Sequence, residues 1–147
     1  MPPAVYSADQ VTVTIANQLI ESGFSDGEFL TIEQDSDAFT KRIGADGEGA
    51  YARSNDRSGT AHLKLLQTSK GNKVMQDFFN AGTKKGSSPN AALSNFEVRD
   101  RSSGELLVSA ETCVISKQTP VSRGKEIGET DWTIISTEMN FNVQGTP

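Results

Sequence analysis

The feature that most constrains this fold is an alternation of apolar and polar residues with a period of two. Successive side chains of an extended strand point to opposite faces, so this alternation is typical of strands with one buried face. Turn-forming pairs that contain glycine separate the runs, at residues 22–23, 26–27, 46–47, 58–59 and 103–104. We predict strands at residues 11–15, 30–33, 60–65, 96–99, 105–117, 132–135 and 139–143.

One segment, residues 69–81, has the spacing of a helix instead. Its apolar residues share one helix face, and they are Val74, Met75, Phe78 and Phe79. Thr68 or Ser69 is expected to cap the N-terminus, and Gly82 to end the helix in a left-handed conformation. We predict that this stripe is core of the subunit or of a subunit interface. The fold class is therefore mainly β, a β-sandwich or barrel with one flanking α-helix.

The chain has the length of one ordinary domain, and we assign residues 1–147 to a single unit. The ends, residues 1–4 and 144–147, are expected to be flexible. No apolar run approaches the roughly 20 residues that span a bilayer, and the N-terminus lacks the pattern of a secretory signal. We therefore expect a protein that folds in the cytoplasm where it is made, without a membrane partner.

Residues suited to catalysis are scarce. Cys113 lies in an apolar run and is interpreted as a small buried hydrophobe. His62, the only histidine, falls on the polar side of a different predicted strand. Cys113 and His62 could act as nucleophile and base only if the fold placed these two strands side by side. Structural zinc needs four ligands of these types, and no nucleotide-binding glycine motif occurs. We predict no catalytic residues, no metal ligands and no cofactor.

Acidic residues are concentrated in one part of the chain. Residues 21–48 contain eight acids and two bases, whereas the rest of the chain contains eleven acids and twelve bases. A surface that grips DNA phosphates would carry the opposite charge. Solvated hairpin positions would explain the same pattern, and that interpretation stays open.

The acids at residues 35–37 and 46–48 raise the question of a calcium site on neighbouring loops. Counted from Asp35, an EF-hand loop needs glycine at its sixth position, where this sequence has Thr40. The EF-hand pattern fails. A loop site of another kind in a β-sandwich stays open as an alternative.

Several short segments, most of them in the first half of the chain, together form a recognisable pattern. They are residues 6–7 (YS), 11–15 (VTVTI), 23–24 (GF), 27–29 (GEF), 37–41 (DAFTK), 44–48 (GADGE), 53–60 (RSNDRSGT), 65–69 (LLQTS) and 124–128 (GKEIG). In these segments the chain resembles the tail tube proteins of contractile-tailed bacteriophages. Residues 93–117 depart from the pattern, and no role is carried over to them.

The resemblance implies a structural subunit of the virion tail that is not an enzyme. Hexameric rings would join their sheets into an inner β-barrel and stack head to tail inside a contractile sheath, and the genome would pass through the lumen. The implied partners are other copies of the chain, the tail sheath protein, and baseplate and tail terminator proteins. DNA would pass only transiently and without specificity, and assembly would take place in the host bacterial cytoplasm.

Physical arguments agree with this implication. Ring closure pairs sheet edges that would otherwise aggregate, and an acidic lumen would keep DNA from sticking to the wall. We expect a hairpin over residues 28–43 and the turn at residues 46–48 to form lumen wall or ring-to-ring contacts. The candidate acids are Glu33, Asp35, Asp37, Asp46 and Glu48.

Two other kinds of protein remain as alternatives. A stand-alone β-sandwich module that binds carbohydrate or calcium would show the same alternation, and it would be a monomer stabilised by its ligand. A secretion-system tube or a baseplate protein would share the stacked-ring fold, because one fold hosts several functions.

Overall fold

The computed structural model describes residues 6–101 and 105–143. The predicted fold class is confirmed, because 46% of the chain is strand and the described residues contain one α-helix. In chain order the elements are β1 (Val11–Ile15), β2 (Gln18–Ile20), β3 (Leu30–Gln34), β4 (Phe39–Ile43), β5 (Gly49–Arg53), β6 (Gly59–Leu66), α1 (Gly71–Thr83), β7 (Ser94–Asp100), β8 (Glu105–Ile115), β9 (Glu129–Ser136) and β10 (Asn140–Phe141), with short 3₁₀ helices at Ala8–Gln10 and Pro89–Ala92. The ends predicted to be flexible and the turn predicted at residues 103–104 lie outside the described residues.

The main sheet is antiparallel and contains eight strands of the described chain, in the order β2-β1-β7-β8-β9-β6-β3, with β10 on β8. Strand β8 joins the two halves, because its residues as far as Cys113 pair with β7 while Val114 and Ile115 pair with β9. The β7–β8 ladder has two register irregularities, and such irregularities bend and twist a sheet. Buried residues from both halves form one cluster, so the sheet closes around a common core.

The core follows the period-two pattern of the sequence. Ile15 of β1, Phe96 of β7, Leu63 of β6 and Trp132 of β9 are each no more than 1% exposed. Burying a large apolar side chain contributes about 1.5–3 kcal/mol. Helix α1 closes one side of this core with Met75, which is fully buried.

Helix α1 begins and ends two residues later than predicted. The predicted cap is wrong, because Lys70 is the N-cap residue and its side chain makes no capping hydrogen bond. The Ser69 Oγ, one residue earlier, accepts a hydrogen bond of 3.1 Å from the Gly71 N–H. The prediction for Gly82 is wrong, because the helix continues through Thr83 and Gly82 is not left-handed. A Cβ added to Gly82 would lie 2.1 Å from the Ala92 Cβ, so the missing side chain serves close packing instead.

The hairpin predicted over residues 28–43 is also wrong. Strand β3 pairs with β6 of the main sheet, whereas β4 pairs with β5 in a separate two-stranded ribbon. The turn at residues 46–48 connects those two strands. Strands β2 and β5 were not predicted, since β2 has only three residues and the β5 sequence, GAYAR, has no alternation of large apolar and polar residues.

Candidate assembly surface

The ribbon of β4 and β5, residues 39–53, stands apart from the body of the subunit, and we call it the projecting hairpin. Within the described residues, β4 and β5 pair with each other and with no other strand. Every residue of both strands is exposed. An isolated two-stranded hairpin is marginally stable in water at best, so the two strands of the projecting hairpin contribute little to their own stability.

One face of the projecting hairpin carries its large apolar side chains. Cross-strand pairs of an antiparallel ribbon share a face, and the register places Phe39, Ile43 and Tyr51 on the same face as Lys41 and Arg53. The three apolar side chains are 65%, 63% and 84% exposed, in that order. An apolar patch of this kind, edged by charge, is characteristic of a protein-binding surface.

Hydrogen bonds hold the base of the projecting hairpin to the body. The Ser54 N–H donates to the Ala38 carbonyl at 2.8 Å and closes the two ends of the hairpin on each other. The Asp35 N–H donates to the Ser58 carbonyl at 3.0 Å and continues the pairing of β3 with β6 up to the hairpin base. Further along, the Met139 N–H donates to the Arg57 carbonyl at 2.9 Å. The direction in which the hairpin projects is therefore set by the sheet beneath it.

Asp56 organises this base. Its carboxylate accepts hydrogen bonds from the Ser58 hydroxyl at 2.7 Å, the Ser58 N–H at 2.9 Å and the Ser36 hydroxyl at 2.9 Å. The bonds from Ser58, and then the one from Ser36, hold the pKa of Asp56 below its ordinary value. The sequence analysis missed Asp56, although closely spaced Ser and Asp residues such as those at 54–58 are a known signal for such turns.

A pocket of about 510 Å³ lies against this base, and we call it the base pocket. Its lining includes Phe39, Arg53 and Arg57 together with Phe141, which is 38% exposed. Neither arginine has a salt bridge within the described part of the chain, and both are exposed. Asp56 also lines the pocket, but its carboxylate is already held by the two serines.

The candidate acids do not form one cluster. Asp46 and Glu48 lie at the tip of the projecting hairpin, where the Glu48 N–H donates to the Asp46 Oδ1 at 3.1 Å. Asp35 lies at the base and accepts a hydrogen bond of 2.6 Å from the Thr60 hydroxyl. The five residues of β4 separate tip from base by about 16 Å at the usual rise per residue. Acids at the two ends therefore cannot share one calcium ion.

The remaining two acids are solvated. Glu33 is exposed near the end of β3 and lies opposite Thr60 in the register, and Asp37 is exposed just before β4. The described residues contain no group of three or more His, Cys, Asp or Glu side chains arranged to hold a metal ion.

The predicted helix stripe lies along the side of α1 that faces the sheet. Met75 is fully buried and Phe78 is 6% exposed, whereas Val74 and Phe79 are half-buried. On the other side, Gln76 exchanges two amide hydrogen bonds, of 2.8 and 2.7 Å, with Gln118.

The two residues considered for nucleophilic chemistry lie in unsuitable surroundings. Burial raises the pKa of the Cys113 thiol to about 12, so the thiolate that a nucleophile requires is absent at neutral pH. His62 is exposed, with its Nδ1 at 3.4 Å from the Thr133 hydroxyl and 3.8 Å from an Asp131 carboxylate oxygen. No helix among the described residues is long and apolar enough to cross a membrane.

Comparison with known proteins identifies a family. The sequence matches the family described as Bacteriophage PhiTE tail tube protein over residues 4–143. No curated protein is significantly similar in sequence.

Solved structures from contractile injection systems share the fold. The tube-terminating cap of the anti-feeding prophage (AFP) superposes with a TM-score of 0.60 at 13% identity, over 98% of this chain and 93% of that one. The sheath/tube terminator of the extracellular contractile injection system PVC gives 0.59 at 14% identity, over 97% and 98%. A chain of the PVC sheath–tube complex gives 0.56 at 12% identity, over 95% and 93%. At these identities the likeness establishes a common fold.

Proposed function

The chain belongs to the Bacteriophage PhiTE tail tube protein family, and we propose that it builds the tube as hexameric rings stacked head to tail. That family is structural and non-enzymatic, and membership makes the chain a component of the virion tail. Ring closure, stacking and passage of the genome through the lumen are the parts that we propose.

The exposed apolar face of the projecting hairpin is the observation that carries the proposal. Phe39, Ile43 and Tyr51 are more than 60% exposed on a ribbon that pairs with no other described strand. Contact with neighbouring copies would cover these side chains and stabilise the ribbon, because apolar area removed from water contributes about 25 cal/mol per Å². A tube supplies such a neighbour to every subunit except those at its ends.

The outer strands of the main sheet offer a second kind of contact. Strands β2 and β3 stand at its two ends, and each pairs with a single neighbour among the described strands. Unpaired strand edges lead to uncontrolled association unless they are covered. In a closed ring every subunit presents the same two edges, so pairing between adjacent copies leaves no edge open.

We further propose that acidic residues line the lumen. Glu33 and Asp37 are exposed, and neither carboxylate makes a described hydrogen bond or salt bridge. A wall with negative charge repels the phosphate backbone and lets DNA pass without binding. Asp35, Asp46 and Glu48 are the other candidates for the wall or for ring contacts.

The outer surface of the assembled tube would face the tail sheath, and its ends would meet baseplate and terminator proteins. The similar PVC structure comes from a sheath–tube complex, which supports the first of these partners. The assembly would form in the host cytoplasm before virion release.

The first experiment is purification of the recombinant protein, followed by negative-stain electron microscopy and light scattering over a concentration series. We expect rings or hollow tubes of uniform width. A monomer at every concentration, stabilised on heating by calcium or by an oligosaccharide, would instead support the binding-module alternative.

A second experiment tests the charge of the lumen. Tubes of a Glu33→Lys/Asp37→Lys variant should retain double-stranded DNA in a co-sedimentation assay at low salt, whereas wild-type tubes should not. An Asp26→Lys/Glu126→Lys variant is the control, because it adds the same charge at exposed positions away from β3 and the hairpin base. Equal DNA retention by both variants would show that the two candidate acids do not line the lumen.

A tube terminator is the second candidate function, and the similarity to two terminating caps favours it. A terminator forms rings that stop a growing tube, whereas a tube subunit elongates. Long tubes of the purified protein would decide for the tube subunit.

A further inference from the structure

The base pocket has the chemistry of a site for an acidic loop. Arg53 and Arg57 line it together with the exposed Phe39, and neither arginine forms a salt bridge among the described residues. Arginine binds carboxylates through two parallel hydrogen bonds, and aromatic rings beside it supply apolar contact area. A matching ligand would carry carboxylates next to an apolar side chain.

The tip of the projecting hairpin, residues 44–48, is a loop of this kind. Asp46 and Glu48 are exposed, and the Glu48 side chain makes no described hydrogen bond or salt bridge. Ile43 lies just below them and is 63% exposed. The Gly44 N–H donates to the Glu48 carbonyl at 2.8 Å, so the loop is a compact turn with both acids on its rim.

The tip and the base pocket of one chain cannot meet. They lie at opposite ends of the same ribbon, about 16 Å apart along five residues of β4. Contact therefore requires two copies. Because the two surfaces differ, the contact is head to tail, and repetition of such a contact builds a ring where the rotation closes and an open stack or filament where it does not.

We propose that the hairpin tip of one copy docks in the base pocket of a copy in the adjacent ring, with Asp46 and Glu48 paired to Arg53 and Arg57. This inference rests on the proposed tube function, and it names the contact that stacks the rings. The base pocket has a volume of about 510 Å³, and the turn of a ribbon whose strands lie about 4.8 Å apart is the part of the neighbouring copy that would enter it. Apolar contact between Ile43 and the rings of Phe39 and Phe141 accompanies the charge pairs.

Charge reversal tests the pairing. The variants Asp46→Arg/Glu48→Arg and Arg53→Glu/Arg57→Glu should each form rings that do not stack, with tubes shortened by about tenfold or more, because like charges then face each other. Combining all four changes in one chain restores opposite charges in every contact, and tubes should reappear. Lys84→Glu/Lys85→Glu is the matched control, since it reverses two exposed cations after α1 and should leave tube length unchanged.

The outcomes separate this proposal from the tube function. Normal tubes from both double variants, or no recovery in the quadruple variant, would overturn the docking and leave the tube function in place. Loss of rings as well as tubes in folded double variants would place the contact within a ring and would also overturn it. Absence of rings and tubes in the wild type would count against the tube function itself. Circular dichroism of each variant checks folding.

A disulfide trap tests the same contact without altering charge. The variant Ala45→Cys/Asn55→Cys places one thiol in the tip and one beside the pocket arginines. Within a chain these positions are much farther apart than the roughly 7 Å that limits a disulfide. Mild oxidation of the concentrated protein should give a ladder of cross-linked chains, whereas either single variant should stop at dimers. No ladder in a preparation that forms tubes would overturn the proposal.

Discussion

The indole Nε1–H of Trp132 donates a hydrogen bond of 3.1 Å to the Asn72 Oδ1, and this bond joins the first turn of α1 to the centre of β9. The Thr130 hydroxyl donates to the same oxygen. The Asn72 Nδ2–H donates in turn to the Leu66 carbonyl at 3.0 Å, at the end of β6. One amide side chain therefore links the helix to two strands and fixes where the helix lies on the sheet.

Replacing this amide should destabilise the subunit. Asn72→Ala leaves the Trp132 N–H without its acceptor, while the Thr130 hydroxyl keeps only the longer bond to the Leu65 carbonyl, and we expect a loss of about 1–3 kcal/mol in the free energy of unfolding. Urea unfolding followed by the fluorescence of Trp132, the only tryptophan, measures it. Asn80→Ala on the exposed side of α1 is the control and should change stability little. Equal effects of the two substitutions would contradict the role given to Asn72.

The helix stripe supplies a second prediction. Phe78 is 6% exposed, so Phe78→Ala should cost about 3–5 kcal/mol of folding or assembly stability, the usual range for a buried phenylalanine. Phe79→Ala should cost less, because that ring is half-buried. The same unfolding assay applies. A loss near zero for Phe78→Ala would mean that its ring does not pack in the core.

Gly82→Ala should destabilise the protein although alanine favours helices by about 1 kcal/mol. The new Cβ would lie 2.1 Å from the Ala92 Cβ and 2.6 Å from its Cα, so the helix and the 3₁₀ turn must separate. We expect a net loss of about 1–3 kcal/mol, as for other overpacked sites. Adding Ala92→Gly should recover part of it. A Gly82→Ala variant more stable than the wild type would show that α1 and the 3₁₀ turn at Ala92 can separate without loss of folding free energy.

A stabilising substitution is predicted at the turn between β1 and β2. Ala16 and Asn17 both have positive φ, of 53° and 61°, which is the conformation of a tight hairpin turn. Alanine is strained there and glycine is not. Ala16→Gly should therefore raise the free energy of unfolding by about 0.5–1 kcal/mol. A parallel Ala81→Gly substitution in α1 should lower stability, and a loss at both sites would contradict the prediction.

The hairpin base should weaken in acid because of Asp56. Its hydrogen bonds hold the pKa below the unfolded value of 3.8. A carboxylate of lowered pKa contributes its stability above the unfolded value and loses it as the pH falls through the folded value. Hydrogen exchange at residues 54–58 should therefore show weaker protection below about pH 4, judged against the unfolded-chain rate at each pH. Asp56→Asn should remove that pH dependence, while Asp26→Asn should retain it.

Periodicity explains which parts of this fold could be predicted. Strands such as β6 and β9, and helix α1, each bury one face, and burying one face requires apolar residues at a period that is visible in sequence. The projecting hairpin buries neither face within the subunit. Lys41 and Arg42 therefore occupy the same strand as Phe39 without a desolvation cost to folding. The apolar pattern there was correspondingly weak.

The pairing of strands was decided by tertiary structure. Local sequence favoured a hairpin over residues 28–43, yet β3 pairs with β6, because Leu30 and Ile32 then pack against the same core as Leu63. Burial of these side chains against the core stabilises the fold more than a local turn between β3 and β4 would.

The sequence alone therefore determined the class of fold, the strands with a buried face, and the helix with its apolar stripe. Only the tertiary structure brought Phe39, Arg53 and Arg57 together beside Phe141, which is 84 positions further on than Arg57 in the chain. The physical reason is that a binding surface depends on which strands pair and in what register. Strand pairing and register are set by the packing of the whole core. They leave no periodic pattern in the sequence at the residues that form the binding surface.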